Sequence, residues 1–174
     1  LLQERDLFQQ KKLSEIDEKW LNLERIEVVN ILKKSIKKIK ENFQNNEIIV
    51  KLDVFRDSIY LKANRLINEV FENLLLNSIK HNDDSIIELD IKISEIEENG
   101  KNYYRLEFID NGVGIEDYRK SLIFHRGSEI GESGLGLSLV FRVIESYNGK
   151  IWVEDKVKND YTKGSKFIII IPII

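Results

Sequence analysis

The chain has 174 residues, 42% of them hydrophobic and 33% charged, with 27 basic and 30 acidic side chains and a formal net charge of −3. That length accommodates one sizeable core and is too short for two complete ones, and the acidic balance offers no basic field to nucleic acid. With no Cys, two His and an isolated Asp83-Asp84 pair in an expected loop, there is no ligand set for zinc or for di-metal hydrolysis, and the missing thiols fit a reducing compartment.

Residues 1–19 form a charged, helix-prone stretch with Leu2, Leu13 and Ile16 as its main apolar points, an end and not a domain. A helix is expected over Leu23 to Phe43 behind an Asn22 cap, carrying Ile26, Val29, Leu32, Ile36 and Ile39 at helical spacing. Its Lys33, Lys34, Lys37 and Lys38 make a cationic stripe that reads as a solvated face, and Asn45-Asn46 breaks it. Two strands, Ile48 to Val54 and Ser58 to Leu61, lead into a second helix over Leu66 to His81. In that helix Leu66, Ile67, Val70, Phe71, Leu74, Leu75 and Ser78 share one arc. Asn77 falls inside the arc, with Asn73 one turn earlier and Lys80 and His81 just after. A buried amide without a partner costs roughly 1–3 kcal/mol, so something must satisfy Asn77: a neighbouring backbone, or a ligand.

Further strands are expected at Ile86 to Ile93, Tyr103 to Ile109, Ile151 to Glu154 and Lys166 to Ile171, with turns at Asn99-Gly100, Asn148-Gly149 and Lys163-Gly164. Asp110 leaves the apolar run Leu106, Phe108, Ile109 at a strand end and opens the loop Asp110-Asn111-Gly112-Val113-Gly114-Ile115. A second glycine loop, Gly134-Leu135-Gly136-Leu137, starts a helix running on through Leu139, Val140, Val143 and Ile144. Glycines let a backbone approach a ligand closely, and helix N-terminal N–H groups favour phosphate, so the pair of loops points to a bound nucleotide. The Asp110 carboxylate is placed to accept from an adenine amine, and Asn77 to meet a hydrated Mg²⁺ on phosphate oxygens. A charged segment between the loops, with Glu116, Asp117, Arg119, Lys120, Arg126 and Glu132, is expected to form a lid.

No P-loop and no early Gly-x-Gly-x-x-Gly exists. No apolar run approaches 20 residues and no signal peptide is present, so Phe167 to Ile174 reads as a buried strand and the chain as making no membrane contact. The lack of any Met, even at position 1, suggests an excerpt of a longer protein. The element order gives an α+β sandwich with helices on one face of a mixed sheet.

Asn73-Leu-Leu-Leu-Asn77-Ser-Ile-Lys80-His81, then Asp110-Asn-Gly112-Val-Gly114, then Gly134-Leu-Gly136-Leu resemble the N box and the two glycine boxes of sensor histidine kinases, within the gyrase, Hsp90, histidine kinase and MutL superfamily. Ser121-Leu-Ile-Phe124-His-Arg126-Gly is similar to the short F box, and Asn148-Gly149-Lys-Ile-Trp152-Val-Glu154 with Gly164-Ser165-Lys-Phe167 to the last strands. The resemblance implies a two-layer α/β sandwich of the Bergerat type over residues 20–174, preceded in 1–19 by the end of a dimerisation and phosphoacceptor hairpin. It implies ATP or ADP with Mg²⁺, with Asn77 on the metal and Asn73 and Lys80 on phosphate or metal-bound water. Asp110 takes adenine, Arg126 the γ-phosphate, and Gly112, Gly114, Ile115, Ser133, Gly134, Leu135, Gly136, Leu137 and Ser165 line the pocket, with His81 beside the base. Glu132 stands where the family commonly has a small residue, and the lid is short.

The implied activity is transfer of the γ-phosphate to a histidine on the hairpin of a homodimeric full-length protein, for relay to a response regulator receiver domain, in the cytoplasm, with a membrane anchor elsewhere left open. No His-Glu or His-Asp acceptor motif occurs in the chain. Two alternatives stay open: a nucleotide-binding regulatory or docking module without transfer, and a hydrolysing ATPase. The second is disfavoured by Asn73, which stands where hydrolysing members carry a water-activating Glu.

Overall fold

The computed structural model describes residues 22–125 and 136–173. Among the described residues the elements run β1 (Glu24–Glu27), α1 (Val28–Asn42), β2 (Glu47–Val54), β3 (Tyr60–Ala63), α2 (Ile67–Lys80), β4 (Ile86–Glu98), β5 (Lys101–Asp110), α3 (Asp117–Lys120), α4 (Gly136–Ser146), β6 (Lys150–Val157) and β7 (Asp160–Pro172). A 3₁₀ turn, Leu122–Phe124, follows α3. The five-stranded sheet runs β2-β4-β5-β7-β6, with β2 parallel to β4 and the other neighbours antiparallel, while β1 and β3 form a separate two-stranded ribbon.

Alternation explains the layers. Along β4, Ile87, Leu89, Ile91 and Ile93 are buried, while Glu88 and Lys92 between them are exposed. Leu106 and Phe108 of β5 and Phe167, Ile169 and Ile171 of β7 continue that inner face, against which Phe71, Leu74 and Leu75 of α2 and Val140, Val143 and Ile144 of α4 are buried in one cluster. Phe71 meets Phe108 with ring centroids 6.0 Å apart. Each fully buried Leu, Ile or Phe contributes roughly 1.5–3 kcal/mol, so the sandwich rests mainly on this seam. The expected mixed sheet with helices on one face is what forms.

Two expectations are corrected. No helix starts at Leu23, and Asn22 is not its cap: Glu24–Glu27 pair with Tyr60–Ala63, and the helix begins at Val28. The Glu27 carboxylate sets that boundary by accepting from the N–H groups of Val29 and Asn30, both at 2.9 Å. Ile26 has helical spacing to Val29, yet it sits opposite Leu61 in the ribbon. Nor is Lys163-Gly164 a turn. Both lie within β7, and the β6–β7 reversal occurs at Lys158 and Asn159, the latter with φ of 64°. The remaining expected strands form, that of Ser58 to Leu61 shifted to Tyr60–Ala63 and the others reaching at least their predicted ends. Among the described residues no helix is long and apolar enough to cross a membrane, and residues 1–19 lie outside them.

Candidate functional site

The site grows from the C-terminal half of α2. Its apolar arc buries Ile67, Val70, Phe71, Leu74 and Leu75, and the same face carries Asn77, 8% exposed. The Asn77 Nδ2 is buried without a hydrogen-bond partner among the described residues. Such an atom costs about 1–3 kcal/mol, and rotating the amide by half a turn brings the acceptor Oδ1 to the same place. One helical turn earlier, Asn73 donates through Nδ2 to the Glu69 carbonyl at 2.7 Å. Its Oδ1 faces Gly136, where any side chain would collide with it. The first residue of α4 therefore lies directly on the Asn73 side chain, and Leu137 follows half-buried.

The first glycine loop is seated on the end of α2. The Val113 N–H donates to the His81 carbonyl at 3.0 Å, and Gly112 lies so close to that carbonyl that a Cβ would clash with it. Gly114 packs against the Tyr161 backbone, and Ile115 is half-buried on the core. Lys80 and His81 are exposed at the helix end.

Asp110 is 5% exposed at the end of β5. Its Oδ1 accepts from the N–H of Gly112 at 2.9 Å and of Ser165 at 3.0 Å. Gly164, with φ of +113°, lets β7 cross within contact of the Asp110 carbonyl, which any Cβ would prevent. Burial raises the Asp110 carboxyl above the ordinary carboxylate value, and the two N–H donors only partly oppose that. Both donors fall on Oδ1, leaving Oδ2 as the oxygen available to an incoming donor. Asn73 and Asn77 thus lie on α2, Asp110 ends β5 with Gly112 and Gly114 in the loop after it, Ser165 lies on β7, and Gly136 starts α4 against Asn73. Arg126, Ser133, Gly134 and Leu135 lie outside the described residues.

Residues 62–174, more than half of the chain, match the family described as histidine kinase-, DNA gyrase B- and HSP90-like ATPase. The chain belongs to that family. Among relatives, cyanobacterial phytochrome B of Nostoc sp. is 35% identical over 108 residues, 58% of this chain and 13% of that protein. The adaptive-response sensory-kinase SasA of Prochlorococcus marinus is 27% identical over 99% of this chain and 47% of its own length. The chain therefore spans less than half of these relatives. The catalytic domain of histidine kinase ThkA superposes with a TM-score of 0.75, at 21% identity, covering 87% of this chain and 98% of that domain, which confirms the fold. The ATPase fold of this family takes ATP or ADP with Mg²⁺ in general.

In this histidine kinase-like ATPase domain, the segment after the first glycine loop is held at two points. Lys120 of α3 pairs with Asp117 and, at 2.6 Å, with Asp155 of β6. Burial alone would lower the Lys120 pKa, but the two carboxylates prevail and raise it. Phe124 is buried between Phe141, at 6.0 Å, and Phe167, edge-on at 6.3 Å.

Three polar locks escape the sequence reading. The Asn111 side chain donates to Asp84 and to the Ile86 carbonyl, and accepts from Asn82 and from the Glu88 N–H, all within 2.7–3.0 Å. It ties the α2–β4 loop to the first glycine loop, so Asp84 is a structural partner. The Tyr147 hydroxyl donates to Asn64 Oδ1 at 2.7 Å, and that oxygen also accepts from the Leu66 N–H at 3.0 Å, joining the end of α4 to the start of α2. Lys120 to Asp155 is the third. Only Asn111, beside Asp110 in the motif, carried a local hint.

Proposed function

We propose that this chain is the ATP-binding catalytic domain of a sensor histidine kinase, transferring the γ-phosphate of ATP to a histidine on a dimerisation domain outside this chain, for relay to a response regulator receiver domain. In this reading residues 1–19 are the end of the phosphoacceptor hairpin, residues 20–174 the catalytic domain, and the full-length protein a homodimer with this domain in the cytoplasm. The observation that carries the reading is the Asn77 Nδ2, buried without a partner among the described residues, beside Asn73 on the helix that also seats the first glycine loop.

The residues fit a metal-bound nucleotide. Asn77 would hold Mg²⁺ through its Oδ1, with Asn73 and Lys80 on phosphate or metal-bound water. Mg²⁺ supplies charge neutralisation of the phosphates. Asp110 would accept from the adenine amine, and Gly136 and Leu137 would present N–H groups at the start of α4. Gly112 and Gly114 act mainly by letting the loop lie on His81 and Tyr161, which fixes the pocket wall. Hydrolysis by this chain is disfavoured because Asn73 is an amide and its neighbour on α2, Glu72, is held elsewhere. Glu72 is drawn to the α1 side of α2 by Lys38 at 2.8 Å and by Asn68 at 3.0 Å.

Titration calorimetry tests the pocket. The wild-type chain is expected to bind ATP or ADP in Mg²⁺ and much more weakly in EDTA, and Asn77→Ala to lose most of the Mg²⁺-dependent part while its circular dichroism stays native. Equal affinity in wild type and Asn77→Ala would remove the basis of the assignment.

A further inference from the structure

The sheet has two edges of different character. At one, β6 carries a bulge between Asp155 and Val157, which interrupts the ladder and hinders pairing. At the other, β2 runs eight residues, Glu47–Val54, without Gly, Pro or bulge, in unbroken parallel register with β4 from Glu47↔Ile86 to Val54↔Ile93. Among the described residues no strand pairs with its outer side. The Phe55 N–H continues the ladder by donating to the Ile93 carbonyl. Odd-numbered residues therefore turn their main-chain groups to β4, and Ile48, Val50, Leu52 and Val54 turn theirs outward. These four residues form the inner apolar row of the strand and are only half-buried. On the opposite face Ile49 is 40% exposed and Ile86, on the neighbouring strand, 37% exposed.

A long edge without Gly, Pro or bulge, whose outward main-chain groups meet no strand among the described residues, offers a template for another strand, and the order of side chains on β2 identifies which. We propose that β2 pairs antiparallel with β2 of a second copy of this chain, about a two-fold axis between the two Ile49 residues. In that register Ile48 faces Val50 of the second copy, so the outward main-chain groups of both exchange hydrogen bonds twice over. Ile49 meets its own counterpart at a non-hydrogen-bonded position, where side chains approach closest. Glu47 faces Lys51 of the second copy, and Lys51 its Glu47. Sliding by one symmetric step either way loses this match. One neighbouring register sets Glu47 against Asp53 and Ile49 against Lys51, another sets Glu47 against Ile49, and the next beyond the first sets Lys51 against itself. Lys51 is available for the contact, since its ion pair with Asp90 is 3.9 Å long and 76% exposed on the lysine side, a kind of pair worth little.

Sedimentation equilibrium on the full 174-residue chain, without nucleotide and over micromolar to millimolar concentration, tests the pairing independently of the proposed kinase function. Wild type is expected to show a concentration-dependent monomer–dimer equilibrium. Lys51→Glu places like charges at both symmetric pairs and is expected to weaken dimerisation about tenfold or more, given the range of cross-strand pair energies. Adding Glu47→Lys to Lys51→Glu restores the opposite-charge pairs and is expected to recover the wild-type constant. Both side chains are exposed, so the thermal midpoint of the monomer reports that the fold is intact. A chain that stays monomeric throughout, a dimer indifferent to Lys51→Glu, or a double variant as weak as the single one each overturns the proposal.

Discussion

Asn77 and Asp110 are buried polar side chains of the proposed pocket, and each is held at some cost to the fold. The Asn77 amide lacks a partner among the described residues, so its removal deletes an unfavourable term along with some packing. Asn77→Ala is therefore expected to keep its unfolding free energy within about 1 kcal/mol of wild type, and a loss of several kcal/mol in urea melts would show that the amide serves the fold. Asp110 is a buried carboxylate whose pKa burial raises above its ordinary 3.8. The folded protein thus holds this proton more tightly than the unfolded chain, so the stabilising contribution of Asp110 is complete below that ordinary value. It is lost as pH rises through the folded value, and the residual cost is constant above it. In Asp110→Asn the Oδ1 still accepts from Gly112 and Ser165, while Nδ2 presents a donor where adenine also presents one. The variant should be no less stable than wild type at pH 7, should lose the pH slope between the two values, and should bind ATP about 10- to 100-fold more weakly. Calorimetry and pH-dependent melts read the two halves separately, and unchanged ATP affinity would remove Asp110 from the adenine site.

At the scale of elements, what the sequence announces is periodicity, and what it conceals is partnership. Helix α2 was legible because five large apolar residues share its arc, and the long strands because they alternate over eight residues or more. The ribbon of β1 and β3 was not, since four residues of β1 carry too little pattern to compete with the helical spacing that Ile26 shares with Val29. Gly164 reads as a turn in isolation, whereas in the fold its φ of +113° serves the crossing of β7 over Asp110. The lock between Tyr147 and Asn64 spans 83 positions, and no local rule could pair them. Its value can be measured. Tyr147→Phe deletes the hydroxyl but leaves Asn64 Oδ1 the N–H of Leu66, so the loss should be about 1 kcal/mol, seen as a lower urea midpoint with unchanged slope. An unaltered midpoint would mean that α2 and α4 are joined by packing alone.

For the whole molecule, the ordered motifs pointed to a fold that forms and to a set of residues from which the proposed site is built. Asn73, Asn77 and Asp110 were identifiable because an amide inside an apolar arc and an acid at a strand end conflict with burial unless they serve a ligand. What the motifs could not supply was the backbone role of the glycines, which depends on the distant His81 and Tyr161. The same arrangement bears on what the isolated chain can do with ATP. In-line transfer needs an acceptor opposite the leaving oxygen. The chain has two histidines. His81 follows the last turn of α2, its carbonyl tied to Val113, on the element that would itself hold the nucleotide, and His125 is exposed after the 3₁₀ turn with its ring 6.4 Å from that of Phe141. Neither stands apart from the pocket as an acceptor brought in from outside would. Hydrolysis has no better prospect, because Asn73 cannot take a proton from water and Glu72 is engaged by Lys38, so general-base help worth about 10²–10⁴-fold is missing. With γ-labelled Mg-ATP the chain alone should release phosphate slowly and form no acid-labile phosphohistidine, yet label a dimerisation hairpin from its own full-length protein supplied separately. Stable label on His81 or His125 would contradict these roles. Failure to label an intact hairpin would favour a module that binds nucleotide without transferring phosphate.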